Sequence, residues 1–260
     1  MIIENDTENA LFYESCGVDR IFIDLERIGK KERQGHLDTF ISNHRLDDLT
    51  KIRNCIQKAE IITRVNPINP LSQNEINDVI NIGTDIVMLP MFQNEKEVKR
   101  FIEYVGGRAK VNLLLETPQA VKRLDNILCI KGIDEIHIGL NDMYLAMNLR
   151  FMFQLLSIGF IDSIVKKIKS VNIPYGIGGV STLDGGAVSG GLVIQDYSRL
   201  GSEFVILSRS FKKLVKKEDF KKELEKIINT FNEYSGLNEN EKYLAKKELD
   251  DGINEVVRKL

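Results

Sequence analysis

VNLLLETPQAVKRLDNILCIKGIDEIHIGLND, residues 111–142, is the stretch that decides the fold. An apolar run, Val111–Leu115, opens it, and a second short strand-like run, Glu135–Ile138, comes near its end. The first, interrupted only by Asn112, is nearer to the continuous run expected of a parallel strand covered on both faces than to an alternating one. Each run gives way to residues of another kind: Glu116, Thr117 and Pro118 after the first, Gly139, Asn141 and Asp142 after the second.

The same rhythm extends in both directions. Strands are predicted at Met1–Glu4, Arg20–Asp24, Ile61–Val65, Asp85–Leu89, Tyr175–Ile177 and Phe204–Leu207. Between them, Glu75–Ile82, Glu95–Val105 and Phe160–Val171 carry apolar residues at helical spacing. Eight strands alternating with helices predict an α/β fold, a (β/α)₈ TIM barrel over residues 1–212. A doubly wound open sheet is the competing topology; the strand count and the lack of a glycine-rich turn after the first strand speak against it. Residues 213–260 form a C-terminal helical extension. One stripe contains Phe220, Leu224, Ile227, Ile228, Phe231 and Tyr234, and another Leu249, Ile253, Val256, Val257 and Leu260, with a break around Gly236. These helices either cap the barrel or pack on a neighbouring subunit, and such apolar stripes predict a homo-oligomer.

Composition narrows the function. The 36 Lys and Arg residues nearly balance 38 Asp and Glu, for a net charge of −2, which argues against nucleic acid as a partner. With 43% hydrophobic and 28% charged residues the chain has ordinary globular composition. No apolar stretch is long enough for a membrane span, and the first residues do not read as a secretory signal. Three cysteines without a CxxC pair fit reduced thiols, so a cytoplasmic location is expected.

In a barrel, reacting groups gather where strands end. Glu116 and Asp142 follow consecutive strands, so their carboxylates are expected side by side, where they repel unless a cation joins them or one takes a proton. A hard divalent ion such as Mg²⁺ or Mn²⁺ suits that pair, though Asp142 can equally cap the next helix. Arg64, in the otherwise apolar Ile61–Val65, can grip a carboxylate bidentately or form a structural salt bridge. Gly178, Gly179 and Ser208–Ser210 occupy loops in which barrels often bind phosphate. His36 and His44 lie in a polar loop open to solvent, and His137 reads as a hydrogen-bonded structural residue within a strand. Lys110 starts the fifth strand, the wrong end for a Schiff base.

Five segments then point together: GVDRIFIDLER at Gly17–Arg27, TRVNP at Thr63–Pro67, GTDIVMLPM at Gly83–Met91, LLLET at Leu113–Thr117 and IGLND at Ile138–Asp142. In order and spacing they resemble the HpcH/HpaI family of metal-dependent 2-oxo-acid aldolases and citrate lyase β subunits. The resemblance implies a (β/α)₈ barrel in a homo-oligomer whose last helices can swap between subunits. It implies Glu116 and Asp142 as ligands of Mg²⁺ or Mn²⁺, and Arg64 as the group holding the carboxylate and enolate oxygen of a pyruvate-like moiety. Glu26 matches the acidic residue supporting the metal site, Gly139 the glycine allowing close backbone approach, and Leu89 and Pro90 the loop bordering the substrate. The family's His–Asp acid/base dyad is replaced by Arg27 and Asn81. Arg27, with Lys30, Lys31 and Arg33, would suit an anionic part of the substrate or equally form a solvated basic loop.

The expectation is therefore a carbon–carbon lyase acting on a small-molecule 2-oxo-acid or polycarboxylate through a metal-stabilised enolate. A phosphate-binding isomerase or transferase on the same barrel, and a non-catalytic metabolite-binding barrel, are the alternatives.

Overall fold

Parallel strands pair in chain order from β1 to β8, and β8 returns to β1 to close the ring. The computed structural model describes residues 1–30 and 42–260; Lys31, Arg33 and His36 lie outside the described residues. The strands are β1 (Ile2–Ile3), β2 (Arg20–Asp24), β3 (Glu60–Arg64), β4 (Ile86–Leu89), β5 (Lys110–Leu115), β6 (Glu135–Ile138), β7 (Tyr175–Val180) and β8 (Phe204–Leu207). All eight coincide with an expected run, within a residue or two at most ends. The predicted barrel is therefore the fold.

Helices cover the outside. Described helices are α1 (Thr7–Ser15), α2 (Leu46–Cys55), α3 (Ser72–Ile82), α4 (Glu95–Val105), α5 (Pro118–Lys122), α6 (Leu124–Leu128), α7 (Leu140–Ala146), α8 (Gln154–Ser157), α9 (Phe160–Lys169), α10 (Gly190–Leu200) and α11 (Arg209–Leu214). Local chemistry sets their ends: the Asn94 side chain accepts from the Lys96 and Glu97 N–H groups to start α4. On α4, Val98, Phe101 and Val105 form the buried stripe that the helical spacing predicts.

Side chains of period two fill the barrel in layers, as the alternation of a strand requires. The layer at the strands' N-terminal ends is ionic: Arg20 grips Glu135 through two bonds of 2.9 Å and Glu60 at 3.0 Å, and Lys110 meets Glu60 at 2.6 Å. Lys110 is thus tied into the end remote from the strand tips. The middle layer is apolar, with Phe22, Ile62, Ile86, Met88 and Leu114 in mutual contact. Phe204 fits among them because Gly176 opposes it; a Cβ at Gly176 would lie 2.3 Å from the Phe204 ring. At the strands' C-terminal ends the inward positions turn polar again, with Asp24, Arg64 and Glu116.

Two further helices, α12 (Phe220–Glu233) and α13 (Glu239–Lys259), follow the barrel. They bury Phe220, Leu224 and Ile227, and Leu249 and Ile253, and both pack on α10 of their own chain. The Ser198 hydroxyl donates to the Phe231 carbonyl at 2.8 Å, fastening α12. No helix among the described residues is long and apolar enough to cross a membrane.

Candidate active site

A cavity of about 500 Å³ opens at the C-terminal mouth of the barrel, with Arg64, Glu116, Gly139 and Asp142 in its wall. Arg64 ends β3 directly beside Asp24 of β2, its register partner. Its Nε and Nη2 donate to the two Asp24 carboxylate oxygens, both at 2.9 Å. Lys30 Nζ reaches the same carboxylate at 2.7 Å. Burial alone would raise the Asp24 pKa, but Arg64 and then Lys30 hold its carboxyl well below the usual carboxylate range. Burial acts against the Arg64 charge too, and Asp24 and Glu26 overcome it, raising its pKa. Glu26 is buried against both cations, 3.4 Å from Arg64 Nε and 3.5 Å from Lys30 Nζ, and does not line the cavity. Asp24 had no role in the sequence reading; its period-two phase with Phe22 was the signal that it faces inward.

Across the mouth, Glu116 extends from β5 and Asp142 from the first turn of α7. Gly139 occupies the cap position of α7, so Asp142, in the first turn, is not the N-cap residue. Burial first, and the Asp142 charge second, push the Glu116 pKa up to about 8. One Glu116 oxygen accepts the Met91 N–H at 3.1 Å. Met91 holds a left-handed backbone, φ 54°, a costly conformation for a non-glycine residue and one that points its N–H at this carboxylate.

Two buried carboxylates with this mutual repulsion form a donor set that a hard divalent cation would relieve. Among the described residues no group of three or more His, Cys, Asp or Glu side chains is arranged to hold an ion. Mg²⁺ is a cation that one or two carboxylates can hold together with waters. The residues fit the metal that the resemblance implies. Gly139 makes room for this arrangement, since a Cβ there would lie 2.9 Å from Glu116 Cβ and 3.0 Å from its Oε2. Gly139→Ala is expected to displace Glu116 and weaken Mn²⁺ binding by about tenfold or more with the fold retained. Calorimetry beside circular dichroism checks this; unchanged affinity would remove Gly139 from the site.

Other expected residues lie elsewhere. Arg27 does not line the cavity; its guanidinium donates to the backbone carbonyls of Ser42 and His44, the latter at 2.7 Å. It braces a loop, and the expectation that it meets the substrate is not what this geometry provides. Asn81 is exposed on α3, so neither member of the replaced dyad lines the cavity. Leu89 faces outward into the helical layer because its neighbour Met88 faces in, and neither Leu89 nor Pro90 forms the cavity wall. His44 is buried rather than open to solvent; its Nδ1 accepts the Asp24 N–H at 3.2 Å.

His137 is both structural and part of the wall. Its Nε2 donates to the Gly178 carbonyl at 3.1 Å, while buried Nδ1 has no partner among the described residues. Burial pushes its pKa from 6.5 down to about 3. Between those values the unfolded chain binds a proton that the folded chain does not, so stability falls as the pH falls, by up to about 1.4 kcal/mol per unit. Urea midpoints measured from pH 7 to pH 4 are expected to decline less steeply in His137→Leu than in the parent. Parallel declines would refute the assignment.

Comparisons with known proteins agree with this architecture. An HpcH/HpaI aldolase from Desulfitobacterium hafniense DCB-2 has a TM-score of 0.64 at 12% identity, covering 88% of this chain and 91% of that one. An HpcH/HpaI aldolase/citrate lyase family protein from Burkholderia cenocepacia J2315 gives 0.63 at 12%, covering 87% and 94%. The citrate synthase SbnG gives 0.61 at 13%, covering 91% and 94%. At such identities the likeness is one of fold. Among curated proteins, none matches the sequence. The profile of the HpcH/HpaI aldolase/citrate lyase family matches residues 13–152, over half the chain and inclusive of Asp24, Arg64, Glu116, Gly139 and Asp142, and the chain belongs to that family.

Proposed function

We propose that the protein is a metal-dependent carbon–carbon lyase acting on a 2-oxo-acid or polycarboxylate. The observation that carries this reading is the buried pair Glu116 and Asp142, in the wall of the same cavity as Arg64. A divalent cation bound there supplies Lewis-acid stabilisation of the negative charge that develops when the bond beside a carbonyl breaks. The chain's own residues do the rest. Asp24 fixes the Nε–Nη2 edge of Arg64, so the guanidinium meets the substrate with its remaining N–H groups and cannot rotate away. Such a preorganised donor stabilises an enolate oxygen without reorganising at the moment of reaction. Phe22, Met88 and Leu114 form an apolar floor that limits water beneath the reacting atoms.

The test is a screen of 4-hydroxy-2-oxo acids and polycarboxylates with Mg²⁺ or Mn²⁺, reading the 2-oxo acid released. Metal-dependent cleavage abolished by a chelator is the expected result. Absence of Mn²⁺ binding would overturn the reading and favour a metabolite-binding barrel.

A homo-oligomer belongs to the same proposal. Ile228, Tyr243, Leu244 and Leu260 on the last two helices stay exposed and support it. Light scattering is expected to give a mass above the 29.6 kDa of one chain. A monodisperse monomer at micromolar concentration would refute it.

A further inference from the structure

A carbon–carbon lyase has to move a proton as well as stabilise an enolate, and neither Arg27 nor Asn81 lines the cavity to do so. Among the described residues the wall holds few other ionisable side chains. Glu116 and Asp142 are the carboxylates placed for the cation. Arg64 and Arg209 are guanidiniums, which keep their protons at any working pH. Asp24 is held as an anion by Arg64 and Lys30. His137 commits its Nε2–H to the Gly178 carbonyl, and burial keeps the ring from taking a second proton near neutrality. Lys30 is left.

Its position is fixed from two sides. The turn that carries it is clamped by Asn66, whose Oδ1 accepts the Arg27 and Ile28 N–H groups at 2.7 and 2.9 Å. Asn66 is held in turn by Glu75 of α3, its side-chain amide donating to Oε1 at 2.8 Å. The Lys30 ammonium, 4% exposed, donates to Asp24 at 2.7 Å and lies 3.5 Å from Glu26. These two carboxylates are the side-chain partners of its ammonium among the described residues, which leaves a third N–H for the cavity that Lys30 lines. Asp24, Glu26, Lys30 and Arg64 thus form a cluster of two anions and two cations. Should Lys30 give up a proton, Asp24 keeps both its bonds from Arg64, and Glu26 keeps Arg64 at 3.4 Å. Burial first and Arg64 second lower the Lys30 pKa, against the pull of Asp24 and Glu26.

We propose that Lys30 is the acid/base of the reaction, giving a proton to the enolate carbon from which the cleaved bond departs. This rests on the lyase reading. When the carbon–carbon bond breaks, its electron pair enters the enolate, and a pair from the enolate then takes a proton from Lys30 to form the new C–H bond. The N–H bonding pair stays on nitrogen, and the neutral amine regains a proton from water. In reverse, the amine removes a proton from the carbon beside the carbonyl of a 2-oxo acid. Proton transfer by a positioned side chain contributes about 10²–10⁴-fold to rate.

Hydrogen exchange tests this without a known substrate. The full chain with Mg²⁺ is incubated in D₂O with pyruvate or 2-oxobutanoate, and loss of the C3 proton signal is followed by NMR from neutral to alkaline pH. Parent, Lys30→Met and Lys30→Arg are compared, with circular dichroism and Mg²⁺ calorimetry on each. The parent is expected to exchange in a metal-dependent way, faster as the pH rises through the Lys30 pKa. Lys30→Arg keeps a charge beside Asp24 but cannot release its proton, so exchange should fall by at least about 10²-fold and lose its alkaline rise. Lys30→Met should fall as far, and Mg²⁺ should still bind to both. Exchange at the parent rate in Lys30→Arg would make Lys30 a counter-ion of Asp24 alone and leave the lyase reading intact; Lys30→Arg decides this even where Lys30→Met fails to fold. If the parent exchanges neither compound, no enolate forms and both readings fall.

Discussion

Glu116→Gln and Asp142→Asn are each expected to lower Mn²⁺ affinity by at least about 10²-fold, since even the outer hydrogen-bond partners of metal ligands are worth 10–100-fold. The two changes should otherwise leave a well-folded barrel. Each replaces one of two carboxylates that repel each other in a buried place, where burial and Asp142 have already pushed Glu116 up to about 8. An amide of the same shape removes that repulsion and, at Glu116, can still accept the Met91 N–H. The melting temperature without metal is therefore expected to stay level or rise, while the increase that Mn²⁺ causes in the parent disappears. That opposition separates a metal site from a structural acid pair. Loss of stability with unchanged Mn²⁺ affinity would sink the assignment.

Arg64→Lys is expected to cut kcat/KM by about 10²–10³ even though the charge is kept. A point-like ammonium cannot hold Asp24 along one edge and present further donors along another, as the planar guanidinium does. Asp24 would retain Lys30 at 2.7 Å, so the buried carboxylate keeps a cation and the barrel should fold. Arg64→Leu is the companion. It removes the bidentate partner of a carboxylate that is 1% exposed, and should cost about 3–5 kcal/mol of stability as well as activity. If Arg64→Lys left kcat/KM intact on an identified substrate, Arg64 would be a structural salt bridge alone.

Much of this was readable from the chain because a barrel interior obeys period two. Phe22 and Asp24, Ile62 and Arg64, Leu114 and Glu116, and His137 and Gly139 are pairs two apart whose second members reach the mouth. Strand ends therefore locate Glu116, Arg64, Gly139 and Asp142, and the family pattern adds the roles expected of them. Contacts set by the loops were not legible. The direction of Arg27 depends on carbonyls at Ser42 and His44, which no spacing announces. The burial of His44 depends on the Asp24 N–H being left for it by the sheet. Asp24 lies at a predicted strand end but could be given no role, because its partner is one strand away in space and 40 residues away in sequence.

The pairing of Phe204 with Gly176 has a consequence for what the protein can accept. The Phe204 ring stacks on His137, with centroids 5.8 Å apart and planes within 21°, and the Arg20 guanidinium lies 5.0 Å from its centre. His137 belongs to the wall of the upper cavity, while Phe204 lines a second one of about 260 Å³ near the opposite end of the barrel. Two stacked rings are thus a bulkhead between compartments, and the upper one is a blind well. A ligand that outgrows it has no route downward through the stacked rings and the apolar layer. The bulkhead and the ionic layer beneath it together close the barrel interior below the mouth.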